Sequence, residues 1–287
     1  MGSYTSAAPV LAARSLGVPV VLHEANAVPG AAIAFLSRFA GTVCTCFPDM
    51  ERFFRPGTKV ENTGLPLRCS FARGSGGSKI PAGPGVSVLV TGGSQGAKAV
   101  NAGVVAAFGE AALAGAVSAE FPVRVVHVAG AKNEDETRAM WSACLARLAS
   151  SGVPAGALCV EVVGFENDMP RRFAESGFCI GRAGASSCFE LALCGLPAAL
   201  VPLPGVSREH QTRNAEAFAS RGAAELLPQS GLCGPGGGAK IAGILKLCRD
   251  RSALAAMRDA MLSLARPDAA ERVADVLCAA AAATPGR

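Results

Sequence analysis

Six short apolar runs are separated by longer, alanine-rich stretches: Pro19 to Leu22, Val86 to Thr91, Arg124 to Ala129, Leu158 to Val163, Phe178 to Gly181 and Pro197 to Pro202. A run of this length with little polar alternation suits a strand covered on both faces, and helices packed above and below a sheet provide that cover. Repetition of strand, helix, strand therefore predicts an α/β fold built on parallel sheet.

The runs are unevenly distributed. Between Ser70 and Gly85 the sequence SFARGSGGSKIPAGPG is polar and rich in Gly, Ser and Pro, the composition of a linker. After it, Val86 to about Leu227 offers five strand candidates with helices between them, enough for a complete doubly wound domain. Before it, residues 1–69 offer two or three strands, around Pro19, Thr42 and Lys59, which predicts an incomplete sheet with an exposed edge. A Gly-rich stretch from Gly231 to Gly238 precedes a closing helical region, Ala239 to about Ala283, where Ile241, Ile244, Leu245 and Cys248 fall on one helical face. The expected division is 1–69, a linker at 70–85, a binding domain at 86–250 and a helical segment at 251–287.

Composition narrows the classes. Half the 287 residues are apolar and 17% are charged, which is globular. The most apolar stretch, Phe189 to Val206, contains Glu190 and is broken by Pro197, Pro202 and Pro204, so it is not a spanning helix. Met1 to Val10 shows no basic cluster followed by an apolar core, so a cytosolic setting is expected. The eleven cysteines are scattered without any CxxC pair, which fits reduced, buried thiols. The net charge of +5 comes from dispersed Lys and Arg; this argues against nucleic acid and remains compatible with an anionic membrane surface.

Four stretches carry candidate chemistry. VLVTGGSQGA, from Val88 to Ala97, runs from a buried strand through a glycine turn into a helix. Free N–H groups and the positive end of the helix dipole there suit a phosphate, with the Ser94 hydroxyl as a further donor; the plain alternative is a tight turn. A nicotinamide site is disfavoured, because Ser94 stands where the second glycine of GxGxxG belongs and the next strand ends Val128, Ala129, Gly130 with no acid for a ribose. GRAGASSCFE, from Gly181 to Glu190, repeats the strand-turn-helix pattern: Gly184 and Ala185 permit close approach, Ser186 or Ser187 can cap the helix, and Glu190 can accept from two ribose hydroxyls. Read alone, Glu190 is equally a surface charge and Arg182 an ion-pair partner. SREHQTRNA, from Ser207 to Ala215, places the amides Gln211 and Asn214 after a strand, where sugar hydroxyls or solvent would meet them. VVLHEAN delivers His23, Glu24 and Asn26 to the carboxyl end of a strand, with His23 or Glu24 a candidate base. His127, inside a strand, reads as a packed core histidine, and neither a DxD pair nor a His/Cys cluster suggests a metal.

These stretches, in this order and joined by a Gly-rich linker, resemble the MurG family of bacterial UDP-N-acetylglucosamine transferases over essentially the whole chain. GSYTS at Gly2 to Ser6, GVPVVLHEAN at Gly17 to Asn26, GLPLR at Gly64 to Arg68, GGSQGA at Gly92 to Ala97, and the run from Arg182 through GLPAALVP to Asn214 carry the resemblance. It implies a GT-B fold of two Rossmann-like α/β domains with parallel sheets, the N-terminal one incomplete here, and a last helix that crosses back over the cleft. It also implies a metal-independent, inverting reaction needing no cofactor. N-acetylglucosamine would pass from UDP-N-acetylglucosamine to the 4-hydroxyl of N-acetylmuramic acid in the undecaprenyl-linked acceptor, lipid I. The product is lipid II for peptidoglycan synthesis, made by a peripheral protein on the cytoplasmic face of the bacterial inner membrane.

Carried over by position, Ser94 and the turn Ala185, Ser186 and Ser187 would hold the diphosphate, with Cys188 and Phe189 in the same substrate-binding segment. Glu190 would hold the ribose, and the backbone at Glu166 would meet the uracil. Gln211 would contact the sugar, Asn26 and Arg68 would add donor contacts from the N-terminal side, and Tyr4 would lie near the acceptor. Ala183 and Phe189 stand where the family often has serine, and one residue is added around Gly205 to Ser207.

Family members begin with a strand and a glycine-rich GGTGGH-type loop, well ahead of the GSYTS match, that supplies the usual candidate base. Neither precedes GSYTS here. These 287 residues are therefore expected to bind UDP without forming lipid II. The alternatives are a chain that binds UDP-sugar without transfer, or another GT-B sugar-nucleotide enzyme such as an epimerase.

Overall fold

The computed structural model describes residues 4–68, 70–71, 83–205 and 209–283. The chain opens with a 3-10 turn, Tyr4–Ser6, and α1 (Ala7–Ser15). It continues through β1 (Val21–Glu24), α2 (Ala31–Leu36), β2 (Thr42–Thr45) and β3 (Lys59–Asn62). The three strands pair in parallel in the order β1-β2-β3.

The second sheet is built from β4 (Val86–Thr91), α3 (Lys98–Leu113), β5 (Val123–Val128), α4 (Glu134–Ser150) and β6 (Leu158–Val163). It is completed by α5 (Met169–Glu175), β7 (Phe178–Arg182), α6 (Ala185–Cys194), β8 (Ala198–Val201), α7 (His210–Ala219) and β9 (Ala224–Leu226). All six strands are parallel, in the order β6-β5-β4-β7-β8-β9. Numbered within the sheet this is 3-2-1-4-5-6, the doubly wound order whose direction of travel reverses between β4 and β7. Five strands were expected from the apolar runs; β9 is the sixth. Its three residues, only one of them buried, are too short to show a pattern, and it is held by pairing with β8.

Alternation within the strands divides the core into two faces. Val86, Val88 and Val90 of β4, with Phe178 and Ile180 of β7, pack among Val104, Phe108, Trp141, Ile241 and Leu245. Leu89, Val126 and Cys179 point the other way, into a cluster with Phe189 and Phe218. Phe47, Met50 and Phe71, from the N-terminal side of the chain, belong to that second cluster. The Phe47 ring meets Phe189 and Phe218 edge-on at 5.1 and 6.1 Å. By contrast, among the described residues the small sheet's own buried cluster is Val10, Leu22, Ile33, Leu36 and Val43. At about 1.5–3 kcal/mol per buried aliphatic or aromatic side chain, the Phe47 seam contributes substantially to anchoring a small sheet with so limited a core.

The segment expected to be a linker begins packed: Ser70 and Phe71 are helical, and the fully buried Phe71 ring lies 5.6 Å from Phe173 of α5. Residues 72–82 of that segment lie outside the described residues, as do 206–208, where the added residue was placed.

The closing region forms α8 (Gln229–Cys233), α9 (Gly237–Arg249), α10 (Arg251–Leu264) and α11 (Ala269–Ala282). Ile241, Ile244, Leu245 and Cys248 are all buried, on the helical face their spacing predicts. The Asp250 carboxylate caps α10 by accepting from the N–H groups of Ser252 and Ala253, and α10 packs against α6. The last helix, α11, then reaches the small sheet, where a nitrogen of Arg272 donates to the Asn62 carbonyl at 2.9 Å. The crossing back expected of the last helix is thus present. Among the described residues, no helix is long and apolar enough to cross a membrane.

Candidate functional site

Where β4 and β7 part, their carboxyl ends open into a cavity of about 250 Å³. Thr91 and Gly181 line it from the two strands, Gly93 and Ser94 from the turn after β4, Ser186, Ser187 and Glu190 from α6, and Gly164, Phe165 and Glu166 from the loop after β6. Ligands of open parallel sheets settle at this kind of reversal, because the loops from the two flanking strands run in opposite directions and leave a crevice.

Two backbone turns bring polar hydrogens there. After β7, α6 starts at Ala185 with Gly184 in an extended conformation as its N-cap and no side-chain cap. The N–H groups of Ala185, Ser186 and Ser187 lack intrahelical acceptors, as the first turn of any helix dictates, while Cys188 already donates to Gly184. A cap from Ser186 or Ser187 was expected; instead both serines sit inside the first turn, facing the cavity. After β4 the turn is tighter than expected, since Gly93 N–H donates to Thr91 Oγ1 at 3.2 Å and Gly96 N–H to the Gly93 carbonyl at 2.9 Å. Among the described residues, the N–H groups of Ser94 and Gln95 remain without a protein acceptor.

Glu190 lies one turn into α6 with its side chain 16% exposed. Burial pushes its carboxyl above the ordinary glutamate range, against the lowering pull of Arg68, whose guanidinium is 3.8 Å away. Arg68 is largely exposed, so this pair is weak, well under about 1 kcal/mol. The Arg68 guanidinium also sits 5.6 Å over the Phe71 ring. Carboxylate, two sets of free N–H groups and a cation thus surround one crevice.

Helical geometry separates the other α6 candidates. Ser186, Ser187, Glu190 and Leu191 share the cavity face, while Cys188 and Phe189 are buried in the core, Phe189 against Phe47 and Phe218. Their side chains are therefore not cavity groups, and like Ala185 they have only their backbone to offer there.

The candidate bases are engaged elsewhere. Glu24 accepts from the N–H and side-chain amide of Asn26, both at 2.9 Å, and from Gly30 N–H at 2.9 Å, so the carboxylate shapes the loop after β1. A ring nitrogen of His23 bonds the Gly64 carbonyl at 2.9 Å. Neither lines the cavity. Asn26 is held by Glu24 and by Asn214 Nδ2, which donates to Asn26 Oδ1 at 3.2 Å. Gln211 Oε1 accepts from Leu203 N–H at 3.0 Å, and Gln211 is not among the residues that line the cavity. Tyr4 opens the 3-10 turn ahead of α1. Among the described residues, no group of acidic, His or Cys side chains is arranged to hold a metal.

Of two buried polar groups, Arg182 is more deeply engaged than its sequence position suggested, and His127 is as expected. Arg182, the last residue of β7, lines the cavity and donates to the Val201 and Pro202 carbonyls and to Gln229 Oε1 at 2.7 Å. Burial draws its pKa below the ordinary arginine value. Its visible signal is a charge ending an apolar strand. His127 is fully buried, accepts at Nδ1 from Trp141 Nε1 and bonds Asn101 Oδ1 through Nε2, both at 3.0 Å. It is the packed core histidine expected, held down to about 4 by burial.

Comparisons with known proteins agree with this geometry. Residues 87–273 match the glycosyltransferase family 28 C-terminal domain, and residues 1–45 match the N-terminal domain of that family. A UDP-N-acetylglucosamine--N-acetylmuramyl-(pentapeptide) pyrophosphoryl-undecaprenol N-acetylglucosamine transferase of Stutzerimonas stutzeri is 38% identical over 280 residues, 96% of this chain and 70% of that protein. The transferase of the same name from Solidesulfovibrio magneticus is 36% identical over 283 residues, 98% of this chain and 72% of that protein. The crystal structure of Acinetobacter baumannii MurG superposes with a TM-score of 0.75 at 32% identity, covering 97% of this chain and 73% of that one. A UDP-GlcNAc 2-epimerase from Neisseria meningitidis shares the fold, with a TM-score of 0.56 at 13% identity over 96% of this chain and 74% of the other.

Fold and site together define a glycosyltransferase of the GT-B type, a hexosyltransferase with parallel sheets and a cavity at the strand reversal. Within that class the chain belongs to the MurG family.

Proposed function

We propose that the cavity at the β4–β7 reversal binds UDP-N-acetylglucosamine and that the chain serves transfer of its sugar to the 4-hydroxyl of N-acetylmuramic acid in the undecaprenyl-linked acceptor, yielding lipid II. The observation that carries this reading is the half-buried Glu190 carboxylate set one helical turn beyond the uncapped start of α6. Such a spacing suits a diphosphate at the N–H groups and an adjoining ribose whose hydroxyls donate to the acid. Ser94, Ser186 and Ser187 would add hydroxyls around the diphosphate, and Arg68 would approach from across the cleft. The backbone at Glu166 would meet the uracil, with Gln211 and Asn26 toward the sugar and Tyr4 toward the acceptor. The names of the relatives and the family supply the sugar and acceptor.

In the reaction the acceptor oxygen bonds to C1 of the sugar from the face opposite UDP, which inverts that carbon, the bond from C1 to the diphosphate oxygen breaks with its electrons going to UDP, and the proton of the acceptor hydroxyl is released to solvent. Charge develops on the departing diphosphate, where the α6 dipole and the free N–H groups of the two turns stabilise it. His23 and Glu24 are not assigned the acceptor proton, since their bonds to Gly64, Asn26 and Gly30 commit them to the loop. The lipid-linked acceptor implies work at the cytoplasmic membrane face by a peripheral protein, with neither a cofactor nor nucleic acid required.

Calorimetric titration with UDP tests the binding step: the chain binds, and Glu190→Ala weakens it about tenfold or more, the scale of a lost charge-assisted hydrogen bond. Equal affinity for UDP in both proteins would overturn the assignment. Incorporation of labelled sugar into lipid-linked acceptor, assayed alongside, reads the transfer step.

A further inference from the structure

The loop Gly164 to Asp168, between β6 and α5, is held by an ion-pair relay. Arg172 of α5 is 9% exposed. Its Nε donates to Glu166 Oε2 at 2.6 Å and a terminal nitrogen donates to Glu161 Oε1 of β6 at 2.7 Å. Asp168 N–H donates to the second Glu166 oxygen at 2.9 Å, and Arg124 of β5 holds the second oxygen of Glu161 at 2.7 Å. The Glu166 carboxylate is thus tied through Arg172 to the sheet. Among the described residues, no group accepts from the Glu166 main-chain N–H or donates to its carbonyl. An unmated donor and acceptor therefore belong to a residue that lines the same cavity as Glu190 and the two turns.

We propose that Arg172 is a positioning residue for base selection, fixing the Glu166 backbone so that its N–H and carbonyl accept uracil and reject cytosine; this rests on the nucleotide site proposed above. Uracil offers an acceptor oxygen beside the N3 hydrogen, the complement of one residue's N–H and carbonyl. Cytosine offers an amino group beside a bare N3, the reverse order, and must shift to satisfy either. Discrimination of this kind grows with how firmly the reading groups are held, because a mobile pair follows the shifted base. Buried ion pairs add little net stability but fix geometry, which is what the task requires. The relay also neutralises Glu166, so that an anionic ligand does not meet an unpaired carboxylate at the rim.

The test compares affinities for UDP and CDP in the whole chain and in Arg172→Met, Glu166→Gln and Glu190→Ala. Arg172→Met is expected to lower the preference for UDP over CDP about tenfold, with UDP affinity falling and CDP affinity nearly level. Glu166→Gln, which keeps the side-chain shape, is expected to move the ratio in the same direction, and the double variant no further than Arg172→Met alone. Glu190→Ala is expected to weaken both nucleotides equally and leave the ratio intact. A ratio unchanged in Arg172→Met, even with a lowered melting temperature, overturns the proposal and leaves a structural ion pair. If Arg172→Met does not fold, an unchanged ratio in Glu166→Gln overturns it equally. Undiminished UDP binding by Glu190→Ala would instead overturn the nucleotide site itself.

Discussion

Ala27 and Asn214, 187 positions apart, are joined by a 2.9 Å hydrogen bond from the Ala27 N–H to Asn214 Oδ1. The Asn214 amide also donates to Asn26 Oδ1 at 3.2 Å and to the Ala183 carbonyl at 3.1 Å, and the side chain is fully buried. One residue of α7 thereby ties the loop after β1 to the turn after β7. Nearby, a ring nitrogen of His210 bonds the Val28 carbonyl at 3.1 Å. Replacing Asn214 with Leu keeps the branched shape of the side chain but strands three polar partners, a loss of about 2–4 kcal/mol. Urea denaturation should show a lower midpoint; an unchanged midpoint would mean that the knot contributes nothing.

Glu190 should impose a pH dependence on nucleotide binding. Its carboxyl is raised by burial, so it takes up a proton at higher pH than an ordinary glutamate, near 4.3. A protonated acid accepts ribose hydroxyls poorly. Affinity for UDP should therefore fall on mild acidification, and Glu190→Gln should bind more weakly with a flatter profile over the same range. Parallel profiles for the two proteins would remove Glu190 from the ribose site.

His127 should make the fold acid-sensitive. It stays neutral in the folded chain down to about 4, whereas an unfolded histidine protonates near 6.5. Between those values the unfolded state binds the extra proton, so stability falls as pH drops through this window, by about 3 kcal/mol in all. His127→Gln removes that term. The unfolding free energy of the variant should change less than that of the parent as pH falls from ~7 to ~5, and equal changes would contradict the assignment.

The turn after β4 is built for glycine. Gly96 has φ of +70°, and a Cβ there would collide with the Ala129 carbonyl and come within 2.8 Å of Asn133 Nδ2. Gly93 has φ of +83° but open space around it. Gly96→Ala should cost more than about 2 kcal/mol and displace the Ser94 backbone, whereas Gly93→Ala should cost about 1 kcal/mol from backbone strain alone. Thermal melts of the two variants give the comparison, and a milder effect at Gly96 would refute the packing argument.

Much of the frame was readable in the sequence because strands buried on both faces cannot hide: each apolar run from Val86 to Val201 became a strand. Glu225 in β9 breaks the apolar pattern, and pairing along β8 decides that strand, so no local signal announced it. The glycine turns and Glu190 were readable as two strand-to-helix turns and an acid one helical turn on, and the structure brings them to one cavity. The Arg172 relay was not, because it joins β6, a loop and α5 across space. Its trace in the sequence is Glu161, an acid interrupting an apolar strand, and two arginines after Asp168, Met169 and Pro170. That the side chains of Cys188 and Phe189 turn into the core was not readable either, because sequence adjacency to Ser187 and Glu190 hides the turn of the helix between them.

The most direct test is a crystal structure of the chain with UDP. The diphosphate should lie against the N–H groups of Ala185 to Ser187 and the Ser94 turn, the ribose hydroxyls within hydrogen-bond reach of Glu190, and the uracil on the Glu166 backbone. Nucleotide density outside the β4–β7 crevice, or a uracil lying at the α6 start with the phosphates toward Glu166, would contradict the account.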